Sequence, residues 1–174
     1  MNNLVFFTAT ILEWKPLLTL DKYKNIIISS LKYLVENNKI KIYAFVIMPN
    51  HIHLIWKIKN ELNYSDIQRD FLKYTSQMIK FDLEKTNVDL LNEFYVDAKD
   101  RKYQIWERNP LSIELISKEI TEQKINYIHK NPLMPKWNLA EESHLYKYAS
   151  TKYYLEGTDE FGILENYMNY DGCW

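Results

Sequence analysis

The chain has 174 residues, 47% of them hydrophobic, and a net charge of −1 from 22 basic and 23 acidic side chains. That length suits one domain with a real core, and the balanced charge argues against a general nucleic-acid coat without excluding a local basic groove. No stretch is long and clean enough to span a membrane, no basic apolar leader opens the chain, and one cysteine, Cys173, excludes an internal disulfide framework and a cysteine-based zinc site, so a cytoplasmic location is expected.

Leu4 to Trp14, rich in Val, Phe, Thr and Ile, reads as a first strand that Pro16 stops. Asp21 can cap a helix with apolar residues Tyr23, Ile27, Leu31 and Leu34 at helical spacing, ended by Asn37-Asn38. Lys39 to Met48 reads as a second strand, and apolar residues on both its faces place it centrally in the sheet. Pro49-Asn50 makes a turn, and His51 to Lys59 is the third strand, antiparallel to the second. Ser65-Asp66-Ile67-Gln68 has the form of a capping box. The helix it starts runs to about Leu83, with Ile67, Phe71, Thr75 and Met78 on one face and Arg69, Lys73, Gln77 and Lys80 on another. The order strand, helix, strand, strand, helix needs one more strand to become an α+β, ferredoxin-like split βαβ arrangement. Lys102 to Trp106 is the favoured candidate for that strand, with Leu111 to Ile116 as its rival. Ser117 can cap a further helix ending near Asn131-Pro132. Residues 132–174 are too apolar to be disordered and are expected to pack back on the body as an extension of a single domain spanning 1–174.

His51 and His53 stand at i and i+2, so on a strand both imidazoles share one face while Ile52, Leu54, Trp56 and Ile58 share the other. Two neighbouring neutral imidazoles are two metal ligands, though not a complete site, and a pair of hydrogen-bonded structural histidines fits the spacing equally well. Tyr127 and Asn131 are four apart and share a helix face. A free phenol, with a pKa of about 10, is a poor nucleophile at neutral pH, and needs a base or a metal that makes its target more electrophilic. Spacing alone favours reading Tyr127, one of 14 tyrosines, as a core residue. Lys57 on the histidine face, Arg69, Lys73 and Lys80 on the second long helix, and Arg101, Lys102 and Arg108 beyond it are candidate phosphate contacts, with Trp106 as a possible base-stacking platform. Charges of this kind are most often only solvated surface.

These residues together resemble a known family. Met48-Pro49-Asn50-His51-Ile52-His53-Leu54-Ile55 is similar to the His-hydrophobe-His motif of HUH single-tyrosine transposases. Tyr127-Ile128-His129-Lys130-Asn131-Pro132 resembles the Tyr-Ile-His-x-Asn-Pro segment of their REP-associated tyrosine transposase branch, and Arg69 to Ser76, Tyr103 to Trp106, Glu122 to Lys124 and Tyr146 to Tyr153 resemble further elements of it. The likeness covers roughly residues 4–155. It implies a ferredoxin-like sheet with two helices on one face and a further helix bringing the tyrosine to the other. It implies a divalent metal, Mg²⁺ or Mn²⁺, held by His51, His53 and Asn131, with Tyr127 as nucleophile. The implied substrate is single-stranded DNA beside a hairpin, cut to a 5′-phosphotyrosine and a free 3′-hydroxyl by a monomer or homodimer without membrane contact. Two departures stand out: Leu133-Met134-Pro135-Lys136-Trp137 lacks the branch's glycine, so its turn should differ, and Ala149-Ser150 replaces a Ser-Ser pair. A noncatalytic hairpin-binding module on the same fold is the alternative, and an unrelated small α+β protein with structural histidines is a third.

Overall fold

The computed structural model describes residues 3–59 and 61–170; Cys173 lies outside them. Strand β1 (Leu4–Thr10) leads through two short 3₁₀ turns into helix α1 (Asp21–Glu36), which returns to β2 (Ile40–Ile47) and β3 (His51–Ile58). Helix α2 (Tyr64–Thr86) and the short α3 (Val88–Asn92) follow, then a small hairpin of β4 (Tyr95–Ala98) and β5 (Arg101–Tyr103). Strand β6 (Leu111–Leu115), helix α4 (Lys118–Lys130) and the short α5 (Thr151–Glu156) complete the chain. The main sheet has the order β2-β3-β1-β6 with antiparallel neighbours, which is the expected ferredoxin-like arrangement.

The closing strand is the rival segment, not Lys102 to Trp106. Leu4 to Thr8 of β1 pair with Leu115 to Leu111, whereas the favoured segment gives only the end of the hairpin and one bridge, Trp106 to Ile11. Its apolar residues serve packing: Ile105 and Trp106 are buried in the core under the helices.

Strand β2 is at the edge of the sheet, not in its centre. It is apolar on both faces because the C-terminal segment covers its outer side. Ile47 N donates to the Tyr148 carbonyl (2.9 Å), Ser150 N to the Phe45 carbonyl (2.9 Å) and Glu165 N to the Ile42 carbonyl (2.8 Å). An edge strand so covered is as buried as a central one.

Three local expectations shift. Leu20, not Asp21, is the N-cap of α1; Asp21 lies in the first turn and pairs with Lys24. Helix α2 is capped by Asn63, whose side chain accepts from Ser65 N and Asp66 N. Its buried residues are Phe71, Thr75, Ile79 and Leu83, while Met78 is exposed. Ser117 caps α4 as expected, accepting from Ile120 N.

Each face of the sheet carries its own core. Val5, Phe7, Ile52, Leu54 and Trp56 pack under Tyr23, Ile27 and Leu31 of α1 and Phe71, Ile79 and Leu83 of α2. Leu4, Phe6, Val46 and Ile55 on the opposite face pack under Ile125 and Ile128 of α4 and Ala149 of the tail. Among the described residues no helix is long and apolar enough to cross a membrane.

Candidate active site

His51 and His53 project from the start of β3 onto the α4 side of the sheet, opposite Ile52 and Leu54. The register sets them beside Thr10 and Thr8 of β1. Their ring centroids are 4.7 Å apart and both side chains are buried. Each ring is held through Nδ1. Asn50 Nδ2 donates to the Trp14 carbonyl (2.9 Å), which turns its Oδ1 toward His51 Nδ1 at 2.7 Å. An amide oxygen only accepts, so His51 Nδ1 carries the proton and Nε2 keeps its lone pair. Thr8 Oγ1 lies 2.7 Å from His53 Nδ1, while His53 Nε2 is buried with no hydrogen-bond partner. Metal-binding imidazoles are held in this way, one nitrogen oriented by the protein and the other left free.

Burial keeps both rings neutral at physiological pH. Desolvation pushes His51 down to about 4, with a hydrogen-bond contact to Asn131 opposing it and the Lys136 charge adding to it. Desolvation, then the His51 and Lys124 charges, push His53 down to about 3.

Helix α4 brings Tyr127 over this pair. Ile125 and Ile128 anchor the helix, and Tyr127 is left 44% exposed. Its ring meets that of His53 edge-on at 5.2 Å and that of Phe6 at 6.2 Å. The phenol is therefore neither sealed in the core nor turned away, and it meets His53 within one chain. Asn131, one turn on, is buried, and its Nδ2 donates to the Tyr127 carbonyl (3.0 Å). That bond commits Nδ2, and the Asn131 side chain also lies in contact with His51. Among the described residues no group of three His, Cys, Asp or Glu side chains is placed to hold a metal. A divalent ion here would have two imidazole nitrogens and an amide oxygen, and the orphaned His53 Nε2 fits that role.

Several neighbours escaped the sequence reading. Lys124, one turn before Tyr127, sets its Nζ 4.8 Å from the Phe6 ring centroid and 5.8 Å from that of Tyr127. The turn lacking the usual glycine uses Asn138 in the left-handed region (φ 44), and it carries Trp137 back to within 5.9 Å of the His51 ring. Trp14 approaches the same ring at 6.1 Å. Asn50, next to His51, had a visible signal in its position; Thr8 and Trp14 become neighbours only through the strand register.

The basic residues expected as phosphate contacts are spread over several elements of the fold. Arg69, Lys73 and Lys80 lie on α2, across the sheet, where Arg69 pairs with Asp66 and Asp70 and Lys80 with Glu84. Lys57 shares the histidine face but sits four residues beyond His53, roughly 13 Å along the strand, with its Nζ 4.9 Å from the Tyr170 ring centroid. Arg101 and Arg108 both pair with Asp100, and Lys102 is exposed on the hairpin. Trp106 offers no face to a base: it is 5% exposed and donates Nε1–H to Thr75 Oγ1 (3.0 Å).

Residues 15–131, more than half of the chain, match the sequence profile of the family described as "Transposase IS200 like". The chain belongs to the IS200-like transposase family. It is therefore an enzyme acting on DNA, in transposition. The structure of a REP-associated tyrosine transposase bound to a REP hairpin matches this transposase with a TM-score of 0.64 at 14% identity, over 99% of this chain and 92% of that one. A crystal structure assigned to a transposase of Deinococcus radiodurans R1 aligns with a TM-score of 0.49 at 12% identity, over 72% and 87% of the two chains. The first likeness shows the shared fold, and the second bears no weight in the argument. No curated protein sequence matches the transposase.

Proposed function

We propose that this transposase cuts and rejoins single-stranded DNA at hairpin-associated sites, with Tyr127 as nucleophile and His51, His53 and Asn131 as the holders of a divalent ion, Mg²⁺ or Mn²⁺. The observation that carries the reading is the meeting of the half-exposed Tyr127 ring with that of His53 at 5.2 Å, beside the second imidazole of the pair. The hairpin belongs to the reading because the structural neighbour is bound to one.

In this reading the Tyr127 hydroxyl loses its proton and its oxygen attacks the phosphorus. The P–O3′ bond breaks, and the departing oxygen takes up a proton as a free 3′-hydroxyl. The phosphate stays on Tyr127 as a 5′-phosphotyrosine, whose ester energy lets a 3′-hydroxyl reverse the step without a nucleotide cofactor. The ion, when bound, withdraws charge from a non-bridging phosphate oxygen and orients the group. The chain does the rest. Asn50 and Thr8 fix the imidazoles, burial keeps them unprotonated, Asn131 ties the ligand set to the Tyr127 backbone, and Lys124 sets a positive charge beside the phenol.

The test is a hairpin-bearing single strand incubated with the protein and Mn²⁺. A covalent adduct absent from Tyr127→Phe, with cutting lost in His51→Ala, is the expected result. Salt-sensitive hairpin binding with no adduct from the wild type would overturn it and leave the noncatalytic module.

A further inference from the structure

The indoles of Trp14 and Trp137 flank the His51 ring at 6.1 Å and 5.9 Å. Trp137 is partly buried against the α4-side core, whereas Trp14 is 58% exposed although Ile11, Leu12, Leu17 and Leu18 around it in sequence are all buried. The backbone works to keep it there. Glu13 and Trp14 both adopt left-handed conformations (φ 53 and 58), a costly choice for two consecutive residues other than glycine. The bend is pinned from three sides. Glu13 N donates to Glu107 Oε1 (2.7 Å), the Trp14 carbonyl accepts from Asn50 Nδ2 (2.9 Å), and Trp14 N donates to the Ile11 carbonyl (2.9 Å). Asn50 is the residue that also orients His51, so indole and imidazole share one support. Lys136 sets its Nζ 5.0 Å from the Trp137 ring centroid and acts electrostatically on His51. An accessible indole face and a lysine beside a second indole are parts from which unpaired bases are gripped.

The two ends of the imidazole pair differ. Tyr127, Phe6 and Lys124 gather at His53; Trp14, Trp137 and Lys136 gather at His51. In phosphoryl displacement the attacking and leaving oxygens lie on opposite sides of phosphorus. With Tyr127 attacking from the His53 end, the 3′-oxygen departs at the His51 end. We propose, on the strength of the function proposed above, that Trp14 and Trp137 bind the unpaired base of the nucleotide immediately 5′ to the scissile phosphate. They retain the strand that bears the new 3′-hydroxyl, so that it is still in place for rejoining. The site takes a nucleobase through its flat face, and therefore only from a single strand.

The experiment first maps the cut from the wild-type adduct formed with Mn²⁺, then measures binding of the same strand in EDTA, where no cutting occurs. An abasic nucleotide 5′ to the scissile phosphate should weaken wild-type binding about tenfold, the scale of one base–aromatic stack. It should weaken Trp14→Ala binding little further, while an abasic nucleotide on the 3′ side should affect both proteins equally. Trp14→Phe should restore the 5′ effect, which separates stacking from a general loss of fold. With Mn²⁺, Trp14→Ala should still form adduct but rejoin less of it, releasing the 3′-hydroxyl strand. Equal sensitivity of wild type and Trp14→Ala to the 5′ abasic site overturns this inference and leaves the proposed function standing. Absence of any wild-type adduct overturns both.

Discussion

Thr8 and Asn50 each hold one imidazole through Nδ1, and a bond this specific has a measurable consequence. Thr8→Val keeps the side chain's volume and removes only the hydroxyl that lies 2.7 Å from His53 Nδ1. Loss of such an orienting partner weakens metal binding about 10- to 100-fold, so Mn²⁺ affinity measured by calorimetry should fall by that factor with the circular dichroism spectrum unchanged. Equal affinities would mean that His53 is not a ligand. The buried histidines also set a pH dependence. His51 and His129 are pushed down to about 4 and His53 to about 3, all chiefly by burial, from an ordinary 6.5. Between those limits the unfolded chain binds protons that the folded chain refuses. Their contribution is therefore intact above pH 6.5 and declines as pH falls through the range down to 4 and below. Each imidazole adds a slope on the order of 1.4 kcal/mol per pH unit. The urea midpoint should drop steeply between pH 6.5 and 4.5, and less steeply in His129→Gln, which removes one titrating group away from the pair. Superimposable wild-type and variant profiles would show that His129 titrates freely when folded.

At the level of elements, a motif was legible where chemistry follows local spacing and illegible where it depends on what lies alongside. His51 and His53 share a face because strands alternate, and Tyr127 and Asn131 share one because four residues make about a turn; both statements need only the sequence. Their meeting across more than seventy residues needed the family resemblance as well. The edge position of β2 could not be read, since its cover is supplied by the distant segment 148–165. Lys102 to Trp106 looks like the fourth strand of the main sheet, but Tyr103 ends the small hairpin while Ile105 and Trp106 plug the space between the end of β1 and α2. Trp106 shows why: its Nε1–H is buried and satisfied by Thr75 Oγ1 at 3.0 Å, on the helix face where Thr75 is fully buried. Thr75→Val keeps the shape and strands that donor, which should cost about 1–3 kcal/mol. A urea midpoint equal to that of the wild type would mean that Trp106 is not locked to α2.

Across the whole molecule, the tail binds the edge of the sheet and the tyrosine-bearing helix at once. It pairs with β2 through backbone bonds at Ile42, Phe45 and Ile47, and through Tyr146 and Tyr154, whose hydroxyls donate to the Ile47 and Tyr43 carbonyls (2.7 Å each). It also touches α4, where Ser150 Oγ lies 3.0 Å from His129 Nε2 and Tyr167 donates to Glu122 (2.7 Å). A chain ending before Ser143 would expose an apolar edge strand with unpaired backbone groups, a template for pairing with other chains. It would also free the side of α4 away from the sheet. Such a truncated protein should elute as larger species in size-exclusion chromatography with light scattering, and should form less tyrosine adduct. Tyr154→Phe separates the two effects. It removes the hydroxyl that donates to the Tyr43 carbonyl (2.7 Å) and accepts from Tyr167 N (3.4 Å), each bond worth about 1 kcal/mol, without opening the edge. It should keep the elution volume and the adduct yield of the wild type while melting earlier. If the truncated protein instead elutes like the full chain, the strand edge is protected by something other than the tail, and the burial of β2 on both faces has a different cause.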